Sequence, residues 1–167
     1  NPGVIVQKFT SAGKPDGNPT PLNVPVQRWA VAPDGKIVVV AVAGGMTTFA
    51  KLLKTGALDT TFGNGGKATA AFTPSAAADI AAVTVLSDGR LIVGYSDFTV
   101  GRFSNMGVLD TAWGTNGFSV SGVPAGVSLT AVGAQAGDKV IAIGGRAKSG
   151  TAGTDADIAM YAVRFQN

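Results

Sequence analysis

The sequence contains no cysteine, no histidine and no glutamate among its 167 residues. Without cysteine there can be no disulfide, thiolate nucleophile or Cys-ligated zinc, and without histidine there can be no Ser-His-Asp triad and no imidazole metal ligand. All ten acidic residues are aspartate, so acid–base chemistry is limited to aspartate, lysine and the two tyrosines. Because glutamate is missing while glycine occurs 24 times, long surface helices are not expected either.

The charge of the chain is small and evenly spread. Thirteen Lys and Arg stand against ten Asp, for a net charge of +3, and no two basic residues are adjacent. Nucleic-acid binding by counterion release needs several cations on one surface, so we expect no nucleic-acid partner. The longest purely apolar run covers residues 37–43, far below the roughly 20 residues that a membrane-spanning helix needs, so we expect no membrane insertion.

A repeated pattern organises the chain. Three segments place two apolar runs around a tight turn, and they cover residues 29–39, 83–93 and 132–142. In the first two, Asp34-Gly35 and Asp88-Gly89 predict β-hairpins, whereas the third has the reversed pair Gly137-Asp138. The sequence therefore predicts the same supersecondary unit three times.

After each hairpin comes a strand that ends in a cation and a large apolar residue. These pairs are Lys51-Leu52, Arg102-Phe103 and Arg164-Phe165, with a further pair, Lys8-Phe9, near the N-terminus. A glycine-rich turn with a Leu-Asp-Thr core follows at residues 56–66 and 107–117, and residues 13–16 form a degenerate copy. The spacing of the pairs defines a unit of about 50 residues with loops of variable length.

Each unit is expected to hold four short strands. Two form the hairpin, one leads to the cation, and one follows the glycine-rich turn, at residues 67–72 and 118–121. The alanine-rich residues 75–82 favour a helical turn, and we place a strand from about Ile80. Residues 4–9 and 158–165 are predicted as further strands that lead to a cation. We divide the single domain, residues 1–167, into units at approximately 1–26 (partial), 27–72, 73–123 and 124–167.

Four-stranded units of this period are typical of propeller blades. The predicted fold is therefore all-β, with about three four-stranded antiparallel propeller-type blades. Since propellers typically have about four to eight blades, three would close only by oligomerisation or by further chain, and we expect a homo-oligomer or the rest of a longer chain as partner. A threefold β-prism or a β-trefoil is the alternative, because either closes within three units.

The combined motif resembles a known family. The order Gly-x-Leu-Asp-Thr-x-(Phe/Trp)-Gly-x-x-Gly, Asp-Gly-(Lys/Arg)-(Ile/Leu)-(Val/Ile)-Val and a strand ending in Arg-Phe is similar to the delta-60 repeat of bacterial surface and secreted proteins. The resemblance is strongest over residues 27–123. It implies a β-propeller and an extracellular or cell-surface location.

The recurring charged residues are expected to serve the fold. Four aspartates lie in repeated turns, where their side chains can bond local backbone, and these are Asp34, Asp59, Asp88 and Asp110. The four recurring cations are Lys8, Lys51, Arg102 and Arg164. We expect each cation to pair with an aspartate of the adjacent turn, such as Asp59 or Asp110. The alternative is a ring of positive charge that binds an anionic ligand.

The aromatic residues are mostly expected in the core. Phe62 and Trp113 share one repeated turn position, and Trp29 aligns with Val83 and Val132, so we predict all three to be buried. Tyr95 differs, because the equivalent positions hold the small residues Ala41 and Gly144. Its side chain would either lie on the rim of the fold, where it could contact a ligand, or fill the space around it within the fold.

The candidate ligand-binding residues are those that the repeat does not require, namely Tyr95, Asp97, Asp155 and Asp157. The last two lie in a long Gly/Thr-rich loop and resemble half of a calcium loop, but the full series of oxygen ligands is missing. We therefore expect no metal and no cofactor, with calcium as an alternative. Binding residues favour such loops on rigid scaffolds.

These features favour a non-catalytic binding or adhesion module of a secreted or surface-exposed bacterial protein, with a glycan, a protein or a cell-envelope component as ligand. One alternative is a carbohydrate hydrolase that uses two aspartates across a cleft. Its candidates are Asp79, Asp97, Asp155 and Asp157. The other alternative is a purely structural assembly domain.

Overall fold

The computed structural model describes residues 4–22, 25–70, 79–120, 122–147 and 158–165, and within them every regular element is a β-strand. The predicted all-β class is therefore confirmed. The strands are β1 (Val4–Val6), β2 (Thr20–Leu22), β3 (Arg28–Val31), β4 (Ile37–Ala43), β5 (Met46–Leu52), β6 (Lys67–Ala70), β7 (Ile80–Val85), β8 (Leu91–Tyr95), β9 (Thr99–Phe103), β10 (Phe118–Val120), β11 (Ser128–Ala134), β12 (Val140–Ala147) and β13 (Ile158–Phe165).

The strands form four antiparallel sheets. The pair β1-β2 is the N-terminal sheet, β3-β4-β5-β6 is sheet 1, β7-β8-β9-β10 is sheet 2, and β11-β12-β13 is sheet 3. Within each sheet, every strand pairs with its neighbour in sequence, as expected for chains of hairpins. Sheets 1 and 2 thus have the four strands predicted for a unit, and sheet 3 has three among the described residues.

The strand register reproduces the sequence repeat. In each of the three larger sheets an apolar residue of the second strand faces the recurring cation of the third, as Val38↔Lys51, Ile92↔Arg102 and Ile141↔Arg164. Successive side chains of a strand point to opposite faces of the sheet. The shared register therefore places equivalent residues of each unit on the same face.

Consecutive sheets pack face to face, and an apolar core lies between each pair. The core between sheets 1 and 2 contains Val40, Phe49, Leu91, Tyr95, Phe103 and Phe118 among its buried members. The core between sheets 2 and 3 contains Ile92, Phe98, Val100, Trp113, Val140 and Phe165. The first strands of the three sheets also contact one another in the order β3, β7, β11.

Because neighbouring strands are antiparallel, the loops of the stacked sheets lie at two opposite ends of the strands, and we refer to each of these ends as an edge. The Asp-Gly hairpins and the Leu-Asp-Thr turns lie together at one edge, which we call the lower edge, because they connect first to second and third to fourth strands. The upper edge holds the starts of β3, β7 and β11 and the hairpins between second and third strands. Recurring aspartates therefore lie at the lower edge, whereas Asp79 and Asp97 lie at the upper edge.

Several strand boundaries can be compared with their predictions. β7 begins at Ile80 and β13 spans Ile158–Phe165, as predicted. The strand predicted for residues 4–9 ends earlier, at Val6, since the chain then turns towards the bridge between Phe9 and Pro15. The helical turn predicted before Ile80 falls on residues 75–78, which lie outside the described residues.

Two of the three aromatic predictions are confirmed. Phe62 and Trp113 are 1% and 4% exposed and belong to the two large cores. The prediction that Trp29 is buried is wrong, because its side chain is 64% exposed. Val83, at the equivalent position of β7, packs against sheet 1, but the described residues provide no such sheet in front of β3.

Candidate functional site

The Asp-Gly hairpins at the lower edge are held by their own aspartates. The Asp34 carboxylate accepts a hydrogen bond from the Lys36 amide at 3.0 Å, and Asp88 accepts one from the Arg90 amide at 3.0 Å. Such bonds to the backbone two residues on are the reason that aspartate is favoured in turns. These two carboxylates are thus engaged in local structure.

The reversed pair in the third hairpin links two sheets. Asp138 takes the position that glycine holds in the other hairpins and adopts its left-handed backbone, with φ of 57°. Its carboxylate accepts hydrogen bonds from the Ser87 hydroxyl at 2.8 Å and from the Arg90 guanidinium at 3.1 Å. The lower edges of sheets 2 and 3 are therefore joined through this carboxylate.

The Leu-Asp-Thr turn recurs at the level of individual hydrogen bonds. The Asp59 amide donates to the Lys51 carbonyl at 2.8 Å, and the Asp110 amide donates to the Arg102 carbonyl at 3.0 Å. The copy that is degenerate in sequence makes the same bond, from the Asp16 amide to the Lys8 carbonyl at 2.8 Å. The backbone at residues 13–16 therefore forms the same turn although the sequence there lacks the Leu-Asp-Thr motif.

Two of the predicted cation–aspartate pairs are present. The Arg102 Nε lies 2.8 Å from the Asp110 carboxylate, and the Lys8 Nζ lies 2.6 Å from that of Asp16. The Arg102 guanidinium also lies over the Trp113 ring, 5.4 Å from its centroid. A cation at this distance from an aromatic face is attracted by the ring quadrupole.

The predicted pair between Lys51 and Asp59 is wrong, because another lysine reaches the carboxylate. The Lys36 Nζ lies 2.8 Å from Asp59, whose side chain is only 5% exposed and also accepts a 2.6 Å hydrogen bond from the Thr61 hydroxyl. The hydrogen bonds from Lys36 and Thr61 lower the pKa of Asp59 to about 2. Lys51 instead lies over Phe62, with its Nζ 5.7 Å from the ring centroid.

We expect the Arg102→Gln substitution to lower the free energy of unfolding by about 1–3 kcal/mol, because it removes a charge-assisted hydrogen bond and a cation–π contact. Arg164→Gln is the matched control, since Arg164 holds the same repeat position but is exposed, and we expect a change within about 0.5 kcal/mol. Urea unfolding of both variants measures the difference. Equal stability of Arg102→Gln and the unmodified chain would contradict the pairing.

The upper edge between sheets 1 and 2 is formed by polar residues that do not recur. The Gln27 amide nitrogen donates to the Asp79 carboxylate at 3.1 Å, and its oxygen accepts from the Val42 amide at 3.0 Å. The Arg28 Nε donates to the Ala81 carbonyl at 2.6 Å. The Gln27–Asp79 and Arg28–Ala81 bonds join the start of sheet 1 to the start of sheet 2, so Gln27 holds the Asp79 side chain at the junction of the two sheets.

Ser96 extends this junction to sheet 3. Its hydroxyl accepts a hydrogen bond from the Asp79 amide at 3.2 Å, and its carbonyl accepts one from the Leu129 amide at 3.3 Å. The neighbouring Asp97 is exposed and accepts from the Thr99 amide at 3.1 Å. We call Gln27, Arg28, Asp79, Ser96 and Asp97 the upper-edge cluster.

The rim position considered for Tyr95 is wrong, and the space-filling alternative holds. The side chain is fully buried between sheets 1 and 2, and its hydroxyl lies 2.8 Å from the Thr47 hydroxyl. Burial is the main cause that raises the pKa of Tyr95 far above its usual value of 10.0. Tyr95 is therefore a core residue of the sheet interface.

The remaining candidates, Asp155 and Asp157, lie outside the described residues, so the calcium alternative stays a prediction. Among the residues that are described, no three acidic side chains gather where they could hold a metal ion. The same part of the chain has no helical segment with the length and apolar character that a membrane crossing requires.

Sequence reasoning missed Gln27, Arg28 and Lys36. The bonds of Gln27 and Arg28 reach residues more than 50 positions away, which no local pattern signals. For Lys36 a signal was available, because Arg90 and Lys139 stand at the same place after the hairpin turn.

Comparison with known proteins adds no assignment: no protein-family model matches the sequence, and no curated protein is significantly similar to it. The delta-60 resemblance accordingly stays a prediction. What the site can do follows from its own groups. Carboxylate, amide and hydroxyl groups at one edge provide acceptors and donors for a polar ligand.

Proposed function

We propose that this chain is a non-catalytic binding or adhesion module of a secreted or surface-exposed bacterial protein, built from propeller-type blades. Stacked antiparallel sheets whose first strands lie side by side are the arrangement expected of consecutive blades. A blade array provides a rigid frame whose loops can vary, and binding residues are concentrated on such loops.

The observation that carries the proposal is the separation of the polar residues between the two edges. At the lower edge the recurring charges are engaged with one another or with their own turns, as in the pairs Lys36–Asp59 and Arg102–Asp110. At the upper edge the charges do not recur, and Asp79 and Asp97 are exposed. Because the repeated turns do not require these two exposed carboxylates, a ligand is the better explanation for their presence at this edge.

The chemistry of the upper-edge cluster favours a glycan, either free or linked to the cell envelope. Asp79 and Arg28 have planar polar groups, which can form paired hydrogen bonds with neighbouring hydroxyls. The Gln27 bonds across the sheets hold these groups in place before a ligand arrives, which reduces the entropic cost of binding.

A binding screen with two matched variants tests the proposal. The unmodified chain, Asp79→Asn and Asp34→Asn are applied to a glycan array that includes immobilised peptidoglycan and lipopolysaccharide. We expect a specific signal that Asp34→Asn retains, since Asp34 is an exposed aspartate of the lower edge, and that falls at least about tenfold in Asp79→Asn. A blank array for the unmodified chain would refute glycan binding. Cleavage of a bound glycan that Asp79→Asn abolishes would instead establish the hydrolase.

A further inference from the structure

In sheets 2 and 3, the first strand is covered by the first hairpin of the sheet before it. Val83 and Val85 of β7 share a core with Val38 and Val40 of β4, so the β3–β4 hairpin covers β7. The β7–β8 hairpin contacts β11 in the same way. The chain thus uses one sheet-to-sheet interface twice.

The strand β3 lacks this cover. Trp29 and Val31 hold in β3 the register positions that Val83 and Val85 hold in β7. Their side chains are 64% and 57% exposed, whereas Val85 is 8% exposed. Apolar positions that are covered in one unit and exposed in another indicate a surface that needs a partner of the same kind.

The β11–β12 hairpin, in contrast, covers no strand, because nothing among the described residues lies on its outer face. Ile141 and Ile143 hold the register positions of Val38 and Val40, which are fully buried under β7. Ile143 is 37% exposed, and Met160, on the same face of β13, is 77% exposed. This face is the one that would cover a strand such as β3.

We propose that a second copy of this chain docks its third sheet against β3, so that Ile141 and Ile143 of one copy cover Trp29 and Val31 of the other. The contact continues the interface that already joins sheet 1 to sheet 2 and sheet 2 to sheet 3. It is heterologous, since two different faces meet, and such contacts build rings or filaments. The proposal does not depend on the glycan site at the upper edge.

The proposed contact between two copies also affects the N-terminal sheet. β1 and β13 are the same strand of the repeat, because both lead to a cation and an apolar residue, Lys8-Phe9 and Arg164-Phe165. The incoming third sheet therefore takes the place of the β1-β2 pair, which packs on sheet 1 through Val6 and Leu22. Since giving up those contacts costs free energy, we expect association only at raised protein concentration.

Light scattering over a concentration series tests the contact with one variant for each face. Trp29→Asp alters the β3 face and Ile143→Asp alters the β12 face. Val108→Asp is the matched control, since Val108 is 64% exposed but lies in the lower-edge turn. We expect the unmodified chain and Val108→Asp to exceed the 16.6 kDa monomer, and each face variant to remain at it.

Mixing the two face variants tests whether the copies meet through two different faces or through identical ones. Trp29→Asp keeps an intact third sheet and Ile143→Asp keeps an intact β3, so an equimolar mixture should form a species of twice the monomer mass and none larger. This recovery also shows that both variants are folded. A monomer at every concentration of the unmodified chain would overturn the proposal. So would association by Trp29→Asp alone, because copies would then meet through identical faces, and so would a mixture that stays monomeric.

Discussion

Replacing Phe103 by alanine is expected to lower the free energy of unfolding by about 3–5 kcal/mol. The side chain is fully buried in the core between sheets 1 and 2. The centroid of its ring lies 4.9 Å from the ring centroid of Phe49 and 6.4 Å from that of Phe118, in edge-to-face geometry with both. The substitution therefore removes a large apolar area and two favourable aromatic contacts, and it leaves a cavity that rigid sheets cannot close.

The chain offers a control at the equivalent position. Phe9 also follows the recurring cation but is 58% exposed, so Phe9→Ala should change stability by less than about 0.5 kcal/mol. Both variants are measured by urea unfolding at a dilute concentration, where self-association does not contribute. Equal losses for the two substitutions would mean that the core does not lie where the structure has it.

Features that a short segment decides by itself could be predicted from the sequence. The dipeptides at Asp34 and Asp88 determine their hairpins through bonds within the same turn. The strand that begins at Ile80 and the burial of Phe62 follow from local pattern and from repetition. The hairpins are stabilised by bonds within one unit, whereas the burial of Phe62 was indicated by the recurrence of a large aromatic residue at the same turn position, at Trp113.

Features that depend on a neighbouring sheet could not be predicted in this way. Trp29 stands in a core-type position, but its burial requires a sheet in front of β3. Tyr95 is unique among the units because it reaches Thr47 on the adjacent sheet. The pairing of Asp59 with Lys36 instead of Lys51 is a different case, because both lysines belong to the unit of Asp59 and the recurring cation after the hairpin turn was a signal for Lys36.

The upper-edge cluster shows the same limit for the candidate site. Sequence identified Asp79 and Asp97 as aspartates that the repeat leaves over, which was enough to nominate them. It could not identify Gln27, since its role is to bridge β4 and β7 through the Val42 and Ile80 amides. Residues that position others across an interface are found only when the interface is known.

Gly63→Ala is expected to lower the free energy of unfolding by about 2–5 kcal/mol. Gly63 lies in the glycine-rich turn with φ of 53°, a left-handed conformation that costs an alanine roughly 1–2 kcal/mol. A Cβ at this position would also overlap the carbonyl oxygen of Lys67, which is fixed by its hydrogen bond from the Asn64 amide. Relieving such an overlap means moving backbone, which adds about 1–3 kcal/mol.

Gly65→Ala in the same turn separates the two causes. Gly65 has φ of 57°, so alanine there has the same conformational cost, but its Cβ would meet no atom within 4 Å. We expect a loss of only about 1–2 kcal/mol, and urea unfolding of both variants gives the difference directly. Gly114 repeats the arrangement against the Phe118 carbonyl, so Gly114→Ala should reproduce the larger loss. If Gly63→Ala and Gly65→Ala cost the same, the turn is constrained by backbone conformation alone and the close approach to β6 has no energetic role.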